Sequence, residues 1–122
     1  MHAKKKNFTW LICLLCIIVQ VIAAKTVTIG QYEDGSCTKP LQNSFLASNP
    51  LVLEIGKCED HLFAPDVHKT EGVLIHSCDG KSLKETVYPY GCENTTGAQS
   101  ATIGEIGICY GNDHNYFLTT CN

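Results

Sequence analysis

The chain has 122 residues, a formal charge of −3 and no arginine. Three of its nine lysines stand together at residues 4–6, so the chain from residue 25 onward holds twelve acids against six lysines, a formal charge of −6. An acidic surface without guanidinium groups is a poor partner for phosphate backbones and anionic lipid, which argues against nucleic-acid binding and lytic attack on membranes.

Lys4, Lys5 and Lys6 precede an uncharged apolar run from Trp10 to Val19, and Val21-Ile22-Ala23-Ala24 then places small residues at a cleavage point before Lys25. This is the layout of a signal peptide, and the run is short against the roughly 20 residues needed to cross a bilayer. Residues 1–24 are therefore expected to leave as a leader, and residues 25–122 to form one secreted cysteine-rich domain of 98 residues with a modest core. Cys13, Cys16 and the sequon at Asn7 would leave with the leader. Cys37, Cys58, Cys78, Cys92, Cys109 and Cys121 remain, and an even set in a small exported domain reads as a disulfide framework.

Beyond the leader the hydrophobic pattern has the period of strands. Thr26 to Tyr32 alternates, with Val27 and Ile29 on one face, and runs into the turn residues Glu33-Asp34-Gly35-Ser36. Leu51 to Gly56, Gly72 to Cys78, Lys84 to Tyr90, Ala101 to Tyr110 and Tyr116 to Cys121 follow, each bounded by Gly, Pro, Asn or Asp. The expected fold is all-β, a small disulfide-stabilised sandwich or barrel of about six short strands. Thr38 to Asn49 and Glu59 to Glu71 lack alternation and read as loops with room for one short helix. Gly104 and Gly107 predict a bend inside the strand around Ile103.

The cysteines anchor an internal echo. Ser36-Cys37 leads to Gly56-Lys57-Cys58, and Ser77-Cys78 leads to Tyr90-Gly91-Cys92 and then to Gly107-Ile108-Cys109; Lys39 with Leu41 is matched by Lys81 with Leu83. Two similar β-units predict a Cys37–Cys58 bridge. The second unit is then closed by Cys78–Cys92 with Cys109–Cys121, the more local choice, or by Cys78–Cys109 with Cys92–Cys121. Glycine and serine also collect near cysteines at strand ends without any repeat.

Tyr32-x-Asp34-x-x-Cys37 with Gly56-Lys57-Cys58 resembles small secreted cysteine-rich proteins of social amoebae and other lower eukaryotes, over residues 32–58 and, more weakly, 78–92. Some proteins of that type end in a hydrophobic tail that directs a lipid anchor. This chain ends at Cys121-Asn122, so the resemblance implies a soluble member.

Candidate chemistry is sparse. His61 and His68 stand near Glu59, Asp60, Asp66 and Glu71, but without a metal-ligand spacing they read as surface residues, and neither metal nor cofactor is expected. His76 shares a strand face with Leu74 and Cys78 and reads as a partly buried packing residue. There is no Gly-x-Ser-x-Gly, and no free thiol if the six cysteines pair, so no catalytic residue is assigned. Asn94-Thr95-Thr96 is a glycosylation sequon in a polar loop. Tyr88, Tyr90, Tyr110 and Tyr116, with Phe117, gather in the last third as a recognition surface or a core edge. The leading expectation is a soluble extracellular binding or interaction module for a protein or glycan, free of the membrane once the leader is gone. The alternatives are a protease inhibitor presenting a loop within Thr38 to Pro50 or Glu59 to Glu71, and a small hydrolase with His76 or His114 as base.

Overall fold

The structure is a computed structural model in which residues 24–122 are described; the expected leader and its cysteines lie outside them, apart from Ala24. Alternation along Thr26–Tyr32 produces β1, with Val27 and Gln31 buried on its inner face. β2 (Leu51–Glu54) repeats the pattern, burying Leu51 and Leu53 and exposing Val52 and Glu54. β3 (Cys58–Glu59), β4 (Gly72–Cys78), β5 (Leu83–Tyr88), β6 (Gln99–Ile103), β7 (Tyr110–Asn112) and β8 (Asn115–Cys121) complete the set.

These strands form two antiparallel four-stranded sheets, ordered β2-β1-β8-β7 and β3-β4-β5-β6. The all-β expectation holds, as a sandwich of two sheets rather than a closed barrel. Eight strands stand where about six were read. β3 has only two residues, too few to show a period, and the stretch from Ala101 to Tyr110 divides into β6 and β7 around Gly107, at φ +76°. The bend expected at Gly104 and Gly107 therefore ends one strand and starts another. The one short helix allowed across the two loop segments falls in the second of them, as a single 3-10 turn at Pro65–Val67.

Between the sheets Val27, Leu51 and Leu53 meet Val73, Ile75 and Leu83, and Leu46, Leu62 and Ile106 close the core from the connecting segments. Each such side chain contributes about 1.5–3 kcal/mol by leaving water. The chain ends are joined by β1 and β8, which pair from Val27 with Cys121 to Tyr32 with Tyr116. Asn122 extends this ladder, its carbonyl accepting from the Lys25 and Thr26 N–H groups at 2.9 and 3.1 Å.

The bridges are Cys37–Cys109, Cys58–Cys92 and Cys78–Cys121. All six cysteines pair, but the expected Cys37–Cys58 bridge and both closures proposed for the second unit are overturned. The physical reason is the topology: β1 pairs with the last strand as well as with β2, so neither half of the chain closes on itself. The turn after β1 thereby lies against the β6–β7 connection, where Cys109 waits. Cys58 opens β3 beside β4, and Cys92 packs on Gly72 of β4, where an added Cβ would lie 2.8 Å from the Cys92 sulfur. Cys78–Cys121 ties β4 of one sheet to β8 of the other.

A second correction concerns His76. The β4–β5 register shifts between Ile75 and Ser77, so His76 is the extra residue of a β-bulge. It is exposed rather than packed, with its Nε2 2.6 Å from Thr86 Oγ1. The bulge lets both Ile75 and Cys78 reach the core.

Candidate binding site between the sheets

The two segments read as loops fold against each other over one end of the sandwich. Ala47 donates its N–H to the Leu62 carbonyl and Ala64 to the Phe45 carbonyl, at 2.9 and 2.8 Å. The first segment is anchored by Asn49, whose Oδ1 accepts the Gln31 N–H at 2.8 Å while its Nδ2 donates to the Gln31 carbonyl at 2.8 Å. Asn49 thus supplies the partner of the Gln31 N–H just beyond the start of β2, while the Gln31 carbonyl also accepts the Leu41 N–H at 2.9 Å. Gln31 itself is 2 % exposed and hydrogen-bonded at both ends, donating to Asn115 Oδ1 at 2.7 Å and accepting from Ser44 Oγ at 2.6 Å.

The core is not filled to this end. A cleft of about 190 Å³ remains between Ile29, Leu51 and Leu53 of one sheet and Val73 and Val87 of the other, roofed by Leu46, Leu62 and Phe63. The cleft opens to solvent at its rim, so its apolar walls are accessible to a ligand. Its other lining groups are Gly72 and two carboxylates, Glu71 and Glu85.

Glu85 lies on the core-facing side of β5, in step with Leu83 and Val87, and its cross-strand neighbours are Ile75 and Ala101. Burial pushes its carboxyl above the ordinary value of 4.5. Among the described residues the ion pairs are Lys57 with Glu59 and Asp60 with His61, so neither cleft carboxylate has a cationic partner there. Because the folded state favours protonated Glu85, its contribution is fully present below the ordinary value and lost as pH rises through the raised one. Glu85→Gln should therefore raise the thermal midpoint near pH 7 and leave it unchanged below about pH 4. Melts of both proteins at the two pH values check this, and equal midpoints throughout would refute it.

From the cleft wall a row of aromatic rings runs outward. Phe63 lies 6.0 Å from Phe45, Phe45 5.8 Å from Phe117, and Phe117 6.0 Å from Tyr110. The Lys69 ammonium stands 5.2 Å from the Phe63 ring centroid, within cation–π range. Only Tyr110 and Phe117 of the expected aromatic group meet. Tyr116 is on the opposite side of β8, Tyr90 is 63 % exposed in a turn, and Tyr88 follows the outward alternation of β5.

The other sequence candidates are scattered. His61, His68 and His114 are exposed, His114 at the tip of the two-residue β7–β8 turn, and among the described residues no three His, Cys, Asp or Glu side chains are grouped to hold a metal ion. Asn94 is exposed, and its Oδ1 accepts the Thr96 N–H at 3.0 Å. A wider polar depression of about 660 Å³ includes Asp34, Lys39 and His114. Its Asp34 is already committed, since the Thr38 hydroxyl and the N–H groups of Lys39 and Thr38 bind the carboxylate and lower its pKa to about 2. Another, near His76 and the Cys78–Cys121 bridge, abuts Ala24, where the described residues begin.

Sequence reasoning passed over the cleft. Its one legible sign was Glu85 at the middle of the apolar face Leu83, Glu85, Val87, a carboxylate where alternation predicts a core side chain. What the fold and site define is a small disulfide-braced β-sandwich with an apolar, acid-rimmed cleft between its sheets. No protein-family model, curated protein or solved structure matches the chain.

Proposed function

We propose that the protein is exported, loses residues 1–24 and acts as a soluble extracellular binding module that holds a small apolar ligand between its sheets. The observation that carries this reading is the cleft of about 190 Å³, since a dry apolar cavity of about 150 Å³ is enough for benzene. Ligand sites are typically concave, mostly apolar and provided with a few polar groups, which is the composition found here. Three bridges support an oxidising compartment, the charged and apolar pattern of residues 1–24 supports export, and the resemblance of residues 32–58 to small secreted cysteine-rich proteins points the same way. No helix among the described residues is long and apolar enough to cross a membrane. Asn94, exposed in its turn, is the proposed glycan carrier.

The test uses the full chain expressed in a eukaryotic host. Protein recovered from the medium should begin at Lys25 and carry a glycan mass at Asn94. Titration with a neutral single-ring probe, benzyl alcohol, should then shift the methyl resonances of Ile29, Leu62 and Val87 selectively. Retention of residues 1–24 in a membrane fraction would remove the export reading, and unshifted cleft methyls would remove the ligand site.

A further inference from the structure

The cleft combines three features that together select a kind of ligand. Its volume of about 190 Å³ accommodates one ring with a short substituent. Its walls are aliphatic and aromatic, so the ring would replace water against Leu46, Leu62, Phe63 and Val87. Its polar groups are both carboxylates, without a hydroxyl, amide or basic side chain among the lining residues.

A neutral ring would fill the cleft but leave Glu85 half-buried and without a cation, and an anion would meet two like charges. A bare divalent metal ion is a poor fit, because it needs several oxygen ligands and the walls are apolar. An ammonium on a ring satisfies both parts of the site. Lys69 shows the compatible chemistry in place, its ammonium resting against the ring of Phe63, which is also a cleft wall. The chain beyond residue 24, at a formal charge of −6, also attracts cations from a distance.

We propose that the cleft is a site for a single-ring organic ammonium, its ring seated among Leu46, Leu62, Phe63 and Val87 and its cation directed to Glu85 and Glu71. This rests on the reading of the cleft as a ligand site. Glu85 and Glu71 then determine specificity, and the apolar walls supply affinity that any ring of the right size would share.

Three near-isosteric probes separate these contributions: benzylammonium, benzyl alcohol and benzoate, titrated calorimetrically and by the cleft methyl resonances. The expected order is ammonium first, alcohol weaker by about tenfold, which corresponds to about 1.4 kcal/mol, and benzoate weakest. Glu71→Gln/Glu85→Gln should bring ammonium and alcohol to nearly equal affinity. A control with the same change of net charge at exposed positions, Glu33→Gln/Glu93→Gln, should keep the tenfold preference, which distinguishes a local contact from the field of an acidic protein. Alcohol binding as tightly as ammonium, or a preference that survives in the cleft variant, overturns the ammonium proposal and leaves the ligand site standing. Failure of all three probes to shift the cleft methyls overturns the site and this proposal together. Folding of the cleft variant is checked by its melt, where loss of the half-buried Glu85 carboxylate favours the native state.

Discussion

Reduction of the folded protein should unfold it at 37 °C, or lower its thermal midpoint by tens of degrees. The three bridges span 72, 34 and 43 residues, and the chain-entropy model assigns each about 4 kcal/mol of constraint on the unfolded state. Each contribution is close to the lower limit of about 5 kcal/mol for the total stability of a domain. The core is modest, with nine buried aliphatic side chains among the described residues, of which Val27 and Ile75 are the least exposed, and part of the inter-sheet space is the cleft. Because closure entropy grows only slowly with loop length, the three alanine double variants Cys37→Ala/Cys109→Ala, Cys58→Ala/Cys92→Ala and Cys78→Ala/Cys121→Ala should lose similar amounts, about 3–5 kcal/mol each. Denaturant midpoints of the three variants, with peptide mapping of the unreduced wild type, test both stability and pairing. A reduced protein that keeps its β-sheet dichroism and its midpoint would show that the bridges are incidental, and a Cys37–Cys58 peptide would contradict the topology.

The second large effect is expected at Gln31. Its side chain is almost wholly buried between the Asn115 amide and the Ser44 hydroxyl, so Gln31→Leu keeps most of the volume but leaves two partners without their hydrogen bonds. Ser44 is partly buried, whereas Asn115 is exposed and can turn to water, so the predicted loss is that of about one unsatisfied buried group, about 1–3 kcal/mol. Ser44 also accepts the Leu46 N–H, so the disturbance reaches the roof of the cleft. A double-mutant cycle between Gln31→Leu and Ser44→Ala should therefore show coupling of about 1 kcal/mol, since the second change removes the group that the first leaves unpaired. Additive losses, or a Gln31→Leu protein as stable as wild type, would mean that the hydrogen bonds contribute nothing net. Asn49 should be left in place in this experiment, because its clamp on the Gln31 backbone uses main-chain groups that every Gln31 variant retains.

Much of the fold was legible because alternation is local. Val27, Leu51, Leu53, Val73 and Ile75 announce their strands and inner faces within a few residues of each other, and Glu33-Asp34-Gly35-Ser36 marks the turn that ends β1. The even cysteine set likewise announced that bridges would form. Where the pattern is short or broken, local reading failed: β3 has too few residues for a period, and the single extra residue at His76 reverses the face assignment of β4. The cleft roof was hidden in two segments whose apolar residues, Leu46, Leu62 and Phe63, have no period because they belong to loops docked on each other.

What the sequence by itself determined is therefore the all-β class, most of the strand positions, the inward and outward faces away from the bulge, and the presence of bridges, each a property of period-two backbone or of cysteine count. The tertiary structure alone decided which cysteines meet, because that follows from β1 pairing with β8 at the far end of the chain. It also decided that His76 faces solvent while Glu85 lines an apolar cleft, since a side chain's surroundings depend on which sheet, loop or open space lies across from its face, and that is a long-range outcome no local spacing contains.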